Sequence, residues 1–169
     1  MSLIFVASYL LLGIFMCWVI FQDFKSRTLN LYAAIGIFIT SFILTLDNYS
    51  WNWVLEVMFY NLLLLICFYV LFLLFYSFKG ITVSQVFEDK LGLGDVIFTI
   101  AIIPCFITVD LLKFLLLSFL FSIVIYQVLK FSKVFKLATI PLAGNMALFF
   151  ILTQILIKFG IKEPINSLI

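Results

Sequence analysis

The stretch KLGLGDVIFTIAIIP, residues 90–104, decides how the rest of the chain is read. A run of apolar residues begins at a carboxylate, Asp95, which is reached through two glycines, Gly92 and Gly94. The chain has 169 residues, of which 66% are hydrophobic and 11% charged. Soluble domains carry about a quarter charged residues. Too little polar surface is available to cover a globule in water, so the lipid bilayer is the expected solvent. An acid at the mouth of a lipid-soluble segment therefore needs a reason.

Six apolar stretches are candidate spans. They are Leu3–Phe21, Leu31–Leu46, Trp53–Tyr76, Val96–Val109, Leu111–Phe131 and Ala138–Phe159. A crossing helix needs about 20 such residues. The second and fourth stretches are short, and the fourth can extend back into the glycines or dip only partway. The predicted fold is an all-α, polytopic six-transmembrane-helix bundle forming one domain, residues 1–169. The first stretch lacks a basic lead-in and a small-residue cleavage site, so it reads as a retained span.

Basic residues set the direction. Lys25, Arg27, Lys79, Lys90, Lys130, Lys133 and Lys136 fall in the odd-numbered loops, seven of the ten basic residues. Lys113, Lys158 and Lys162 fall on the other side. The odd loops are expected in the cytoplasm, both termini outside, and Trp51 and Trp53 at the outer interface. By the same parity Asp23, Glu88, Asp89 and Asp95 share the inner face, whereas Asp47, Asp110 and Glu163 lie opposite.

Composition also excludes chemistry. Histidine is absent, which removes histidine-based nucleophile pairs. Cys17, Cys67 and Cys105 stand singly in apolar runs without metal spacing, so they read as packing residues and no metal or other cofactor is expected. A net charge of +2 with scattered lysines offers no nucleic-acid surface. Asn61, deep in the third stretch, suits an interhelical hydrogen bond.

Asp95 alone suits a helix N-cap, where the dipole favours an anion. The preceding glycines permit positive φ and close backbone approach. Asp23 is harder to explain, because it ends a helix where the dipole disfavours an anion by about 0.3–1 kcal/mol. Two carboxylates brought together cannot both ionise easily. One keeps a proton and the other is a base, the pair needed to activate water against a peptide carbonyl.

These residues resemble the motifs of the type IV prepilin and preflagellin peptidases, membrane aspartic proteases of the GxGD type. DFKSRTLN, Asp23–Asn30, is similar to the family's first motif, and GLGDV, Gly92–Val96, to its GxGD motif. A weaker likeness is IPLAGNMAL, Ile140–Leu148, to the opening of the last span. The resemblance implies Asp23 and Asp95 as catalytic residues, with Gly92 and Gly94 shaping the site. It implies a prepilin-like or preflagellin-like substrate whose short basic leader is cut at the cytoplasmic membrane face. Lys25, Arg27, Glu88 and Asp89 are the candidate leader or loop contacts.

The chain departs from the family pattern in four places. Leu29-Asn30 stands for the first motif's Ile-Pro, Ile97 for a lysine after GxGD, and Gly144-Asn145 for a proline neighbourhood. The cysteine-rich cytoplasmic insert is missing, so a compact peptidase without N-methyltransferase activity or S-adenosylmethionine is expected. Two other readings remain at this point. One is a presenilin-like or signal-peptide-peptidase-like protease, which would carry nine spans. The other is a non-enzymatic transporter or scaffold, which would place charge pairs deeper in its spans.

Overall fold

The structure, a computed structural model, describes residues 3–89, 91–132 and 141–158. The described residues are helical and contain no strand. In chain order the elements are α1 (Leu3–Ser26), α2 (Leu31–Asn48), α3 (Trp51–Phe78), α4 (Val83–Asp89), α5 (Leu93–Ala101), a 3₁₀ turn (Ile103–Cys105), α6 (Thr108–Ser132) and α7 (Leu142–Lys158). Four of these, α1, α2, α3 and α6, are long and apolar enough to cross a bilayer. Their outward surfaces are covered with exposed large apolar side chains such as Ile4, Leu10, Phe59, Leu71, Leu120 and Val128. The chain is a multi-pass, all-helical membrane protein.

The expected fourth and sixth spans are shorter. At 1.5 Å per residue, the nine residues of α5 reach about 13 Å, under half of the ~30 Å hydrocarbon core. A 3₁₀ turn containing Pro104 follows, because proline lacks the amide that would continue the ladder. The 17 residues of α7 form the other short apolar helix.

A helix broken inside an apolar fold strands backbone carbonyls, which lipid cannot satisfy. Neighbouring helices satisfy them. Asn61 on α3 donates from Nδ2 to the carbonyls of Ile103 at 3.1 Å and Phe106 at 2.7 Å. Thr45 on α2 donates to the Pro104 carbonyl at 2.8 Å. Asn61 is therefore the interhelical bond expected of it, aimed at a broken backbone.

The helix ends follow capping rules. Asn30 is the N-cap of α2, its side chain accepting from the Tyr32 amide. Its own amide donates to Gln22 Oε1 at 3.0 Å, which ties the α1–α2 loop without a proline. At the end of α3 the Gly80 amide reaches the Ser77 carbonyl and the Ile81 amide reaches Tyr76, a glycine-based stop with Gly80 at φ 75°.

The core lies where α1, α2, α5 and α7 meet α6. Met16, Ile37, Phe98, Phe106, Phe114 and Met146 are among its fully buried side chains. Close packing of α1 on α2 depends on Gly36, where a Cβ would sit 2.6 Å from the Phe15 ring. On α1 the buried residues Ser8, Leu12, Met16 and Val19 form one stripe at helical spacing, and Asp23 continues it. The acid is thus directed inward by the same register that buries the apolar residues.

Asn61→Leu keeps the side-chain volume but orphans the Ile103 and Phe106 carbonyls. It should destabilise the fold by about 1–3 kcal/mol, read as a lower thermal midpoint in detergent. An unchanged midpoint would show that these carbonyls do not depend on Asn61.

Candidate functional site

Asp23 and Asp95 converge on the first turn of α7. The Ala143 amide donates to Asp95 Oδ1 at 2.9 Å, and the next amide, Gly144, donates to Asp23 Oδ2 at 2.6 Å. Residues 72 apart in sequence thus share two successive donors of one helix. The reason lies in Pro141. It precedes α7 and has no side-chain oxygen to cap the free amides of the first turn, a role usually worth about 0.5–2 kcal/mol. The carboxylates of α1 and α5 supply both caps from outside the helix.

Each acid is placed differently. Asp95 is the third residue of α5, with Gly92 as N-cap, so two helix N-termini face its charge. Asp23 sits in the last turn of α1, where that helix's own dipole opposes an anion, and the α7 amide offsets this. Asp23 is 8% exposed, whereas Asp95 is half-buried.

The glycines serve by absence of bulk. Gly92 has φ −64°. Among the described glycines only Gly80 has positive φ, so the left-handed geometry anticipated at Gly92 and Gly94 is not used. A Cβ on Gly94 would lie 3.0 Å from Leu29 Cβ, and one on Gly92 would lie 3.1 Å from Asp95 Oδ2. Gly144 is the most crowded of the three, with a Cβ meeting Asp23 Oδ2 and Phe24 Cδ2 at 3.1 Å and Asp23 Cβ at 3.2 Å.

The two carboxylates line a cavity of about 700 Å³. Its other wall is apolar and aromatic, formed by Phe68, Tyr69, Phe72 and Tyr76 of α3 and Phe119 of α6. Phe68 and Phe119 stack across it with ring centroids 6.1 Å apart. The Tyr69 hydroxyl is paired with Thr99 at 2.6 Å.

Of the remaining sequence candidates, Arg27 lines this cavity, and Lys25 is turned away over the Phe21 ring at 5.2 Å. Glu88 and Asp89 end α4; their side chains, Lys90, Lys133, Lys136, Ile140, both termini, Lys162 and Glu163 lie outside the described residues. Cys17, Cys67 and Cys105 are free. No group of ligating side chains that could hold a metal occurs among the described residues. Gly144, which reads in the sequence as a departure from a motif, is the residue the sequence undervalues: its contribution is a backbone amide, which carries no side-chain signature.

Comparison with family models, with curated proteins and with solved structures yields no match in any of the three.

Asp95 precedes the apolar run Val96–Val109 and lies outside the four long helices. Burial, with the Asp23 carboxylate second, pushes its pKa up to about 6, against the opposing hydrogen bonds from the Ala143 and Gly92 amides and the Arg27 charge. An unfolded aspartate titrates near 3.9. Between these values the folded protein holds a proton that the unfolded chain releases, so Asp95 makes stability fall as pH rises from about 4 to about 6. Unfolding midpoints in detergent across that window should decline in the parent and decline less in Asp95→Asn. An identical pH dependence in both proteins would contradict the burial of this carboxyl.

Proposed function

We propose that the protein is a membrane-embedded aspartic endopeptidase of the prepilin peptidase type. The observation that carries this reading is the pairing of Asp23 and Asp95 on consecutive α7 amides at the edge of an apolar cavity. A shared-proton dyad needs two carboxylates whose geometry is imposed on them, and helix-terminal amides impose it.

In the proposed reaction a water molecule lies between the carboxyl groups. The ionised carboxylate takes a proton from the water as its oxygen attacks the peptide carbonyl carbon. The protonated partner gives its proton to the carbonyl oxygen, forming a neutral gem-diol. On collapse the C–N bond breaks, the proton held by the base passes to the leaving amine, and one gem-diol hydroxyl returns its proton to the partner carboxylate as the C=O bond re-forms, which restores the dyad. The products are a carboxylic acid and a new amino terminus. No metal or organic cofactor enters, and no methyl transfer is assigned to the chain.

The substrate in this reading is a prepilin-like or preflagellin-like membrane protein. Its short basic leader would lie in the cytoplasm and its apolar helix against the aromatic wall formed by α3 and α6. The proposed topology has six membrane segments, two of them short, in the cell membrane of a bacterium or archaeon. The odd loops and the site face the cytoplasm, and Trp51 and Trp53 lie at the outer interface. Stacking of Tyr49 on Trp53 at 4.4 Å and of Trp51 edge-on to Phe42 at 5.4 Å supports an aromatic belt there.

Co-expression with a prepilin-like substrate tests the reading. Asp23→Asn and Asp95→Asn should each lower cleavage by about 10²–10⁴-fold, the contribution of a positioned acid or base. Gly144→Ala should also impair cleavage by displacing Asp23. Gly13→Ala, where an added Cβ meets nothing within 4 Å, should not. Full activity in either asparagine variant would refute the dyad.

A further inference from the structure

Arg27 occupies a position where its residue type is costly. It follows the last residue of α1 with φ 57°, the left-handed region in which glycine is the favoured occupant. The other described residue with positive φ, Gly80 at the end of α3, is a glycine. A bulky side chain kept in such a conformation points to a use for that side chain.

The side chain itself points the same way. Arg27 lines the cavity that holds Asp23 and Asp95. Its Nη1 is buried and has no hydrogen-bond partner. The ion pair found among the described residues joins Lys113 to Asp110 at 3.0 Å, so Arg27 is not paired with either aspartate. Among the described residues the other buried side-chain nitrogens and oxygens without partners belong to Asn61 and Asn145, neither of which lines the cavity. Other cavity donors are committed: Tyr69 pairs with Thr99, and Ser122 donates to the Ser118 carbonyl at 2.8 Å. A buried, unpartnered donor on a permanent cation is costly, and a turn of the guanidinium toward an oxygen acceptor in the cavity that Arg27 lines would remove that cost.

We propose that Arg27 is a substrate-binding residue, whose guanidinium turns to donate a hydrogen bond to a main-chain carbonyl oxygen of the peptide lying across the two aspartates. The assignment rests on the peptidase reading and deepens it. A peptide crossing this site brings carbonyl oxygens to a wall that is otherwise largely aromatic. The guanidinium keeps all its protons throughout; it orients the peptide and withdraws charge from the carbonyl, while proton transfer stays with the carboxyl groups.

The left-handed backbone makes the test clean, because Arg27→Gly removes the side chain and relieves the conformation together. Its thermal midpoint in detergent should equal or exceed the parent's. Cleavage of a co-expressed prepilin-like substrate should nevertheless fall roughly ten- to a hundredfold in kcat/KM, as expected for one hydrogen bond to a charged group. Arg27→Lys should retain part of the activity, and Arg27→Gln should resemble the glycine variant. Parent-level cleavage by Arg27→Gly overturns the assignment and leaves the peptidase reading intact. Equal losses in all three variants, accompanied by lowered midpoints, also overturn it, because they mark a structural role. If the unsubstituted protein cleaves no prepilin-like substrate, the peptidase reading fails and this assignment fails with it.

Discussion

Two adjacent amides at the start of α7 are the contact on which the arrangement of α1, α5 and α7 depends. Ala143 and Gly144 each donate to a carboxylate from a different helix, so that α1, α5 and α7 are tied at one point. The contact satisfies needs on both sides. The first turn of α7 has free N–H groups and a proline where a capping side chain would stand. Asp23 and Asp95 are buried or half-buried acids that require donors. In a low-dielectric site charge-assisted hydrogen bonds are among the stronger available, and the helix dipole reinforces them. Remove either side, and the other is left with unpaired polar groups inside an apolar fold.

The same economy explains the broken segment beside the site. Asp95 reaches α7 because it stands in the first turn of α5, beside the first turn of α7. The brevity of α5 leaves carbonyls exposed at the 3₁₀ turn, and Asn61 and Thr45 answer them from α3 and α2. Two sets of polar side chains serve free backbone groups in this way: Thr45 and Asn61 close the break after α5, and Asp23 and Asp95 take the first amides of α7. The aromatic residues of α3 and α6 face these carboxylates across the cavity, which therefore has an acidic side and an aromatic side.

Much of this was legible in the residues. The apolar stretches at Leu3, Leu31, Trp53 and Leu111 each correspond to a long helix. Asp23 falls in the register of Ser8, Leu12, Met16 and Val19, but the other faces of α1 are equally apolar, so its inward direction needs the structure. The shared membrane face of Asp23 and Asp95 was legible from loop parity, and their pairing was implied only by the resemblance of their surroundings to known motifs. Other features were hidden for physical reasons. Unbroken apolarity over Val96–Val109 masks a helix that stops at Ala101, although Pro104 marks the place. Asn30 before an apolar run is a capping signal, and it replaces the rigidity that a proline would give the loop. The amides of Ala143 and Gly144 leave no trace in composition, so a residue chosen for lacking a side chain looks like a substitution without purpose. Arg27 looks like one more inside-facing cation until its backbone conformation is known.

The central claim is that the Asp23 and Asp95 carboxylates are held by the consecutive amides of Gly144 and Ala143. Amide resonances of protein labelled with ¹⁵N-glycine and ¹⁵N-alanine, in detergent micelles, report on it directly. The account predicts that Asp23→Asn shifts the Gly144 N–H most strongly, that Asp95→Asn shifts the Ala143 N–H most strongly, and that both resonances follow the titration of the acid pair. Amide positions at 143 and 144 that ignore both substitutions and remain constant with pH would contradict it.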